Sequence, residues 1–141
     1  MSASAAAEAT ITTLLGNQGD PIEVTVAPTT AIPKGTIMCI DSSPQTCTAA
    51  DTDGDYVMGI TQVEKTATDG VTKMMLVTHC VADIYATAVT GSMVLGKPVK
   101  ITGANTVAPA DADTLDKSME AFGIALKTVA AGESGAVLMN I

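Results

Sequence analysis

Val57-Met58-Gly59-Ile60 and Ala121-Phe122-Gly123-Ile124 set apolar residues around a single glycine, and their recurrence decides how the rest of the chain reads. Each is followed by a turn and an apolar run, Met74-Met75-Leu76-Val77 in the first case and Ala136-Val137-Leu138-Met139 in the second. Each is preceded by a glycine that opens a strand-like stretch: Gly35 before Thr36-Ile37-Met38-Cys39-Ile40, and Gly96 before Pro98-Val99-Lys100-Ile101. The opening glycines are offset by 61 residues (35 to 96) and the central ones by 64 (59 to 123), a drift small enough to fall in one loop. The pseudo-repeat covers residues 32–84 and 94–141. A glycine inside a strand marks a bulge or a close approach of two backbones.

Working outward, short strand-like stretches alternate with turn residues. Ile22-Glu23-Val24-Thr25-Val26 alternates apolar and polar with period two, the pattern of a half-buried strand. Further strands are expected at 36–41, 46–50, 56–63, 71–81 and 83–89, and in the second copy at 98–102, 105–108, 119–127 and 136–141. Asp111 to Lys117 has room for a helical turn, but no amphipathic stretch is long enough for a core helix. Many short strands at regular spacing predict an all-β sandwich or barrel. Residues 1–20 read as a flexible N-terminal arm, since Ser and Ala dominate and Gly16-Asn17-Gln18-Gly19-Asp20-Pro21 breaks any regular structure. The body is then one β domain over 21–141.

Composition narrows the function classes. The 141 residues carry a net charge of −8, which repels phosphate backbones, and no basic run or aromatic–basic interleaving suggests nucleic-acid binding. No apolar run approaches the ~20 residues of a membrane span. The first fifteen residues lack Lys and Arg and include Glu8, so they are read as mature sequence rather than a secretory signal. Aromatics are 2% of the chain, so the core must be built from aliphatic residues and Met, and burial between subunits is an attractive supplement.

Candidate chemistry is sparse. Asp51-x-Asp53-x-Asp55 resembles the start of a calcium loop, but Tyr56 and Gln62 stand where such a loop needs Gly and Glu; clustered carboxylates in a turn more often serve the turn itself. His79 and Cys80 are adjacent, point to opposite faces of a strand, and cannot easily share a metal. Cys39, Cys47 and Cys80 form no CxxC pair; Cys39 and Cys47 could face each other across a hairpin, bridged or reduced. There is no G-x-S-x-G followed by a helix, no P-loop and no dinucleotide fingerprint. The expectation is a protein with no catalytic residues, no metal and no cofactor. Of the neighbours Met74 and Met75, at least one must face away from its own core and is a candidate interface residue.

Ile37-Met38-Cys39-Ile40-Asp41-Ser42-Ser43, Thr52-Asp53-Gly54-Asp55 and Val57-Met58-Gly59-Ile60 resemble the central part of the phage lambda-type head decoration proteins. Phe122-Gly123-Ile124-Ala125-Leu126, Ala130-Ala131-Gly132-Glu133-Ser134-Gly135 and Val137-Leu138-Met139 are similar to the closing segment of the broader phage capsid cement proteins. The resemblance covers roughly residues 30–141. It implies a homotrimeric, β-tulip-like body on the outer capsid surface of the virion, clamping neighbouring copies of the major capsid protein, with an N-terminal arm that orders on the shell. On that reading Ile11, Thr12, Thr13, Leu14 and Leu15 form the capsid-binding arm, which adds a strand to a partner's sheet edge. Met74 or Met75, supported by Ile84 and Tyr85, forms the oligomer interface. Two rivals are a virion fibre or receptor- and glycan-binding β module, for which the chain has few aromatic platforms, and a small β-barrel hydrolase or metalloprotein.

Overall fold

The computed structural model of the chain describes residues 9–14, 21–87, 92–110 and 119–140, the side chains of 12–14 and 140 excepted. Its strands are β1 (Thr10–Leu14), β2 (Ile22–Thr25), β3 (Ile37–Ile40), β4 (Cys47–Ala49), β5 (Val57–Thr61), β6 (Lys73–Val77), β7 (His79–Ala86), β8 (Pro98–Gly103), β9 (Thr106–Pro109), β10 (Gly123–Ala125) and β11 (Ser134–Asn140). The protein is all-β. The long strand expected at 71–81 is broken at Thr78, and β7 starts a new sheet instead of finishing the old one.

Two sheets share one topology. The first runs β2-β6-β5-β3-β4 and closes on itself through a parallel bridge between Thr25 and Thr46. The second runs β7-β11-β10-β8-β9 and closes through the parallel pairing of β7 with β9, with β1 added on the same edge of β7. Replacing each strand of the first barrel by the one five places later gives the second. The equivalence reaches single hydrogen bonds. The Gly35 N–H donates to Thr61 O at 2.9 Å, as Gly96 does to Ala125 O at 2.8 Å. The bridge Ile32–Lys65 matches Met93–Val129. Gln45 and Asn105 hold the same left-handed turn, each at φ 51°. The structural unit therefore begins at β2 and again at β7, so residues 79–84 belong to the second unit.

The two central glycines have one purpose. A Cβ on Gly59 would lie 2.7 Å from Leu76 Cβ and 2.8 Å from Val77 O; on Gly123 it would lie 2.6 Å from Leu138 O. Both backbones approach a neighbouring strand too closely for any side chain.

The cores divide unequally. Val24, Val26, Ile32, Met38, Cys47, Met74 and Leu76 fill the first barrel. A larger cluster fills the second barrel with Ala82, Ile84, Ile101, Val137 and Met139 and also takes in Ile37, Cys39, Val57, Ile60 and Val77 from the first unit. Period-two alternation explains this: Met38 points into the first barrel while Ile37 and Cys39 point out of it, toward the second unit. The units are joined by polar contacts as well. Asn105 Oδ1 accepts from the Ile37 N–H at 2.9 Å, Gly54 N–H donates to Ile101 O at 3.1 Å, and Lys100 Nζ pairs with Asp53 at 3.0 Å.

Lys65, 1% exposed, is the largest fully buried side chain among the described residues. Its ammonium donates to the carbonyls of Pro28 (2.9 Å), Thr30 (3.0 Å) and Thr66 (3.2 Å) and lies 3.4 Å from Asp69. Charge this deep is tolerated because every donor has an acceptor. The N–H of Val71 above all, then that of Thr66 and the Lys65 charge, hold the Asp69 carboxyl below its ordinary 3.8.

Candidate interaction surface

β1 is the site the sequence singled out as an arm. Thr10 pairs with Asp83, Ile11 with Ala82, Thr13 with Val81 and Leu14 with Cys80, so the strand-forming content of this segment is used on the chain's own β7. Ala9 is buried and its N–H donates to Gly35 O at 2.9 Å, while Ile11 packs on the larger core. The free arm expected over residues 1–20 is thus, at 9–14, an integral edge strand. Leu15 and the rest of the arm lie outside the described residues. β1 is the terminal strand of its sheet, and among the described residues no strand pairs with its outer edge.

Of the four residues assigned to an oligomer interface, the structure leaves two at the surface. Met75 is 45% exposed and Tyr85 half-buried. Met74 fills the first barrel and Ile84 the second, so neither can touch a partner. The cause is strand parity: Met74 and Leu76 point inward with Met75 outward, and Ile84 falls on the inward phase of β7 with Ala82 and Ala86.

The polar candidates resolve into structural contacts. Asp55 Oδ2 accepts from the N–H groups of Asp51 (3.2 Å) and Thr52 (3.0 Å), and Asp53 pairs with Lys100, so these carboxylates close a loop and fasten it to the second unit. Among the described residues, no three or more His, Cys, Asp or Glu side chains converge as a metal site. Cys39 lies in the larger core and Cys47 in the first barrel, on opposite faces of the β3–β4 pair, so they do not face each other; all three thiols are free and buried. Burial, reinforced by the Asp55 carboxylate, pushes Cys39 up to about 12. Burial alone pushes Cys80 up to about 11, and burial with Asp41 raises Cys47. Thiols held this far above neutrality are poor nucleophiles.

What the sequence reading missed is an apolar face on the second unit. Pro98, Ile124 and Leu138 stand side by side across β8, β10 and β11 on the outer surface. Ile124 is 43% exposed, Leu126 43% and Leu95 61%, with Pro98 and Leu138 half-buried. In Gly123-Ile124-Ala125-Leu126 the two small residues point inward and the two large ones outward, the reverse of the usual reading. The signal was there: Gly123 must face the neighbouring strand, and that fixes Ile124 and Leu126 on the other side. A recess of about 300 Å³ opens in the first unit between Thr25–Pro28 and Thr46–Ala49.

No protein-family model matches the chain, and no curated protein matches its sequence. In three dimensions it is similar to the crystal structure of the head fibre gp8.5 N base in bacteriophage phi29, with a TM-score of 0.55 at 10% identity, covering 86% of this chain and 93% of that one. At that identity the likeness shows a shared fold across nearly the whole of both chains.

Proposed function

We propose that the chain is a non-enzymatic structural protein of a phage head, bound to the outer surface of the icosahedral shell. The observation that carries this reading is the fold likeness to a phage head fibre base, which extends across both barrels. The motif resemblance to lambda-type decoration proteins points to the same location. In the finer form of the proposal, the protein is a cement: homotrimers bridge neighbouring major capsid protein subunits and stabilise the head. β1 supplies an outer edge for strand addition, the way an extended segment of one protein completes another's sheet. Buried thiols and carboxylates committed to loop closure fit a scaffold better than an active site.

A second reading, the base of a virion fibre, is favoured by the neighbour itself being a fibre base. One experiment separates the two. Purified protein is mixed with empty heads of its own virus, the heads are sedimented, and their thermal disruption is followed with and without the protein. Co-sedimentation with a raised disruption temperature supports the cement. Co-sedimentation at few copies per head with unchanged disruption supports a fibre base. Protein that stays in the supernatant overturns both.

A further inference from the structure

We propose that the Pro98–Ile124–Leu138 face is the seat for a second copy of this chain, which docks head to tail through the end of its first unit that carries the Ser42–Thr46 turn. The molecule already contains the template for this contact. The equivalent row of the first unit, Ile37–Ile60–Val77, has the same cross-strand register and is fully buried in the junction with the second unit. What seats there is the end of the second barrel bearing the Asn105 turn, whose side chain accepts from the Ile37 N–H. The first unit has the same turn in the same left-handed conformation at Gln45, and there Ser42, Ser43, Pro44 and Gln45 are all exposed. Among the described residues, the molecule thus ends at one pole in a seat and at the other in a knob that no other element covers.

Two details fit the chemistry. Pro98 stands where the first unit has Ile37 and has no N–H, so the contact between copies has no counterpart of the Asn105–Ile37 hydrogen bond, leaves no donor unpaired when the seat is covered, and rests on apolar packing. The seat is flanked by exposed Lys97 and Lys127 in a chain of net charge −8, with Asp83 on its far rim, whereas the knob is flanked by Asp41. Seat and knob are complementary in charge. A contact between two different surfaces repeats from copy to copy and closes into a ring or continues as a chain. The inference deepens the assembly half of the proposed function, and it is tested in solution without heads, so its failure would leave the shell-binding test standing.

The test uses the full chain and two surface variants, Ile124→Asp in the seat and Ser43→Trp in the knob, with Ile124→Gln as a milder seat variant; melting curves verify that each is folded. Native mass and sedimentation equilibrium are measured over a range of concentrations. The wild type is expected to be oligomeric, and each variant alone to dissociate with a dissociation constant raised at least roughly 30-fold. Mixed in equal amounts, the two variants should form a one-to-one heterodimer and nothing larger, because each retains the half the other has lost. A monomeric wild type overturns the proposal. So does an Ile124→Asp protein that assembles like wild type, the outcome expected if residues 111–118 of the same chain cover the face. A Ser43→Trp protein that assembles normally while Ile124→Asp does not would mean that the face pairs with its own copy, and would overturn the head-to-tail contact.

Discussion

The first unit and the second are wired alike and buried differently. Their strand orders, their closing bridges and their turn conformations correspond strand for strand, yet a buried lysine stands in one where a valine stands in the other, at Lys65 and Val129. The seams differ too. In the second unit Tyr85–Thr106 and Ala86–Val107 pair, and the Thr87 N–H adds a bond to Val107 O at 2.9 Å. In the first, the same seam is held by the single bridge Thr25–Thr46, and a recess opens beside it. The lesson is that backbone hydrogen bonding and close-approach glycines set the architecture, while side-chain burial is free to diverge once the backbone is fixed. β2 illustrates the management of an edge: where β7 receives β1, the first unit has Pro21, which lacks an N–H for a further strand.

The largest expected effect tests the lysine. Lys65→Val imposes the second unit's solution on the first. It leaves the carbonyls of Pro28, Thr30 and Thr66 without their ammonium in a buried place, and should lower unfolding free energy by about 3–5 kcal/mol. Urea titration measures it. A loss under about 1 kcal/mol would mean that the two plugs are interchangeable and the contrast between the units is cosmetic.

Next come the glycines, where the comparison predicts equality. Gly59→Ala and Gly123→Ala should each cost about 2–3 kcal/mol, because the atom met is a backbone carbonyl that cannot step aside. Gly96→Ala has open space and only its positive φ of 81° to contend with, about 1 kcal/mol. A large gap between the first two would break the equivalence of the units.

Much of this was legible in the sequence. Repeat spacing and period-two alternation gave strands, an all-β class and a duplicated body, because these follow from local backbone geometry. Gly59 and Gly123 were legible as close approaches for the same reason. Lys65 was not: it reads as a turn residue, and only the return of Pro28–Thr30 over it turns a surface charge into a buried one. The arm was misjudged at Thr10–Leu14 because strand content fixes that a segment will pair and not with which edge. Adjacency along β6 required one of Met74 and Met75 to face outward but not which, and the structure turns Met75 out; Ile84 and Tyr85 were offered together although neighbours on β7 point to opposite faces, and Ile84 is the inward one. The exposed row at Ile124 was hidden by the opposite habit of assigning large apolar residues inward.

The turn residues give the third comparison. Asn105→Ala removes the acceptor of the Ile37 N–H from a buried site and should cost about 2 kcal/mol, whereas Asn105→Asp keeps an acceptor and should cost less. Gln45→Ala, at the equivalent exposed turn, should change stability by no more than about 0.5 kcal/mol. Equal effects at the two turns would mean that the junction between the units does not depend on this bond.

The smallest effects concern the thiols, and they read the two cores separately. Below the ordinary thiol value of 9.0 all three cysteines are neutral in both folded and unfolded chains, and pH has no purchase on them. Above it the unfolded chain ionises first, while Cys80 resists to about 11 and Cys39 to about 12. A raised folded value therefore contributes stability that is present below pH 9.0 and fades as pH climbs toward 11–12. At pH 10 the loss is about 1.4 kcal/mol for each of Cys39 and Cys80, and Cys80→Ala should flatten that part of the profile by about its own share. Near neutrality the same residues report opening. Cys47 lines the recess at the loosely held seam, whereas Cys80 lies in the larger core where β7 is paired on both sides, with β1 at Leu14 and with β11 at Met139. A thiol reagent under native conditions should therefore modify Cys47 several-fold faster than Cys80, by partial opening of one barrel. Identical rates for both would mean that the barrels open together, and that the weaker seam in the first unit has no dynamic consequence.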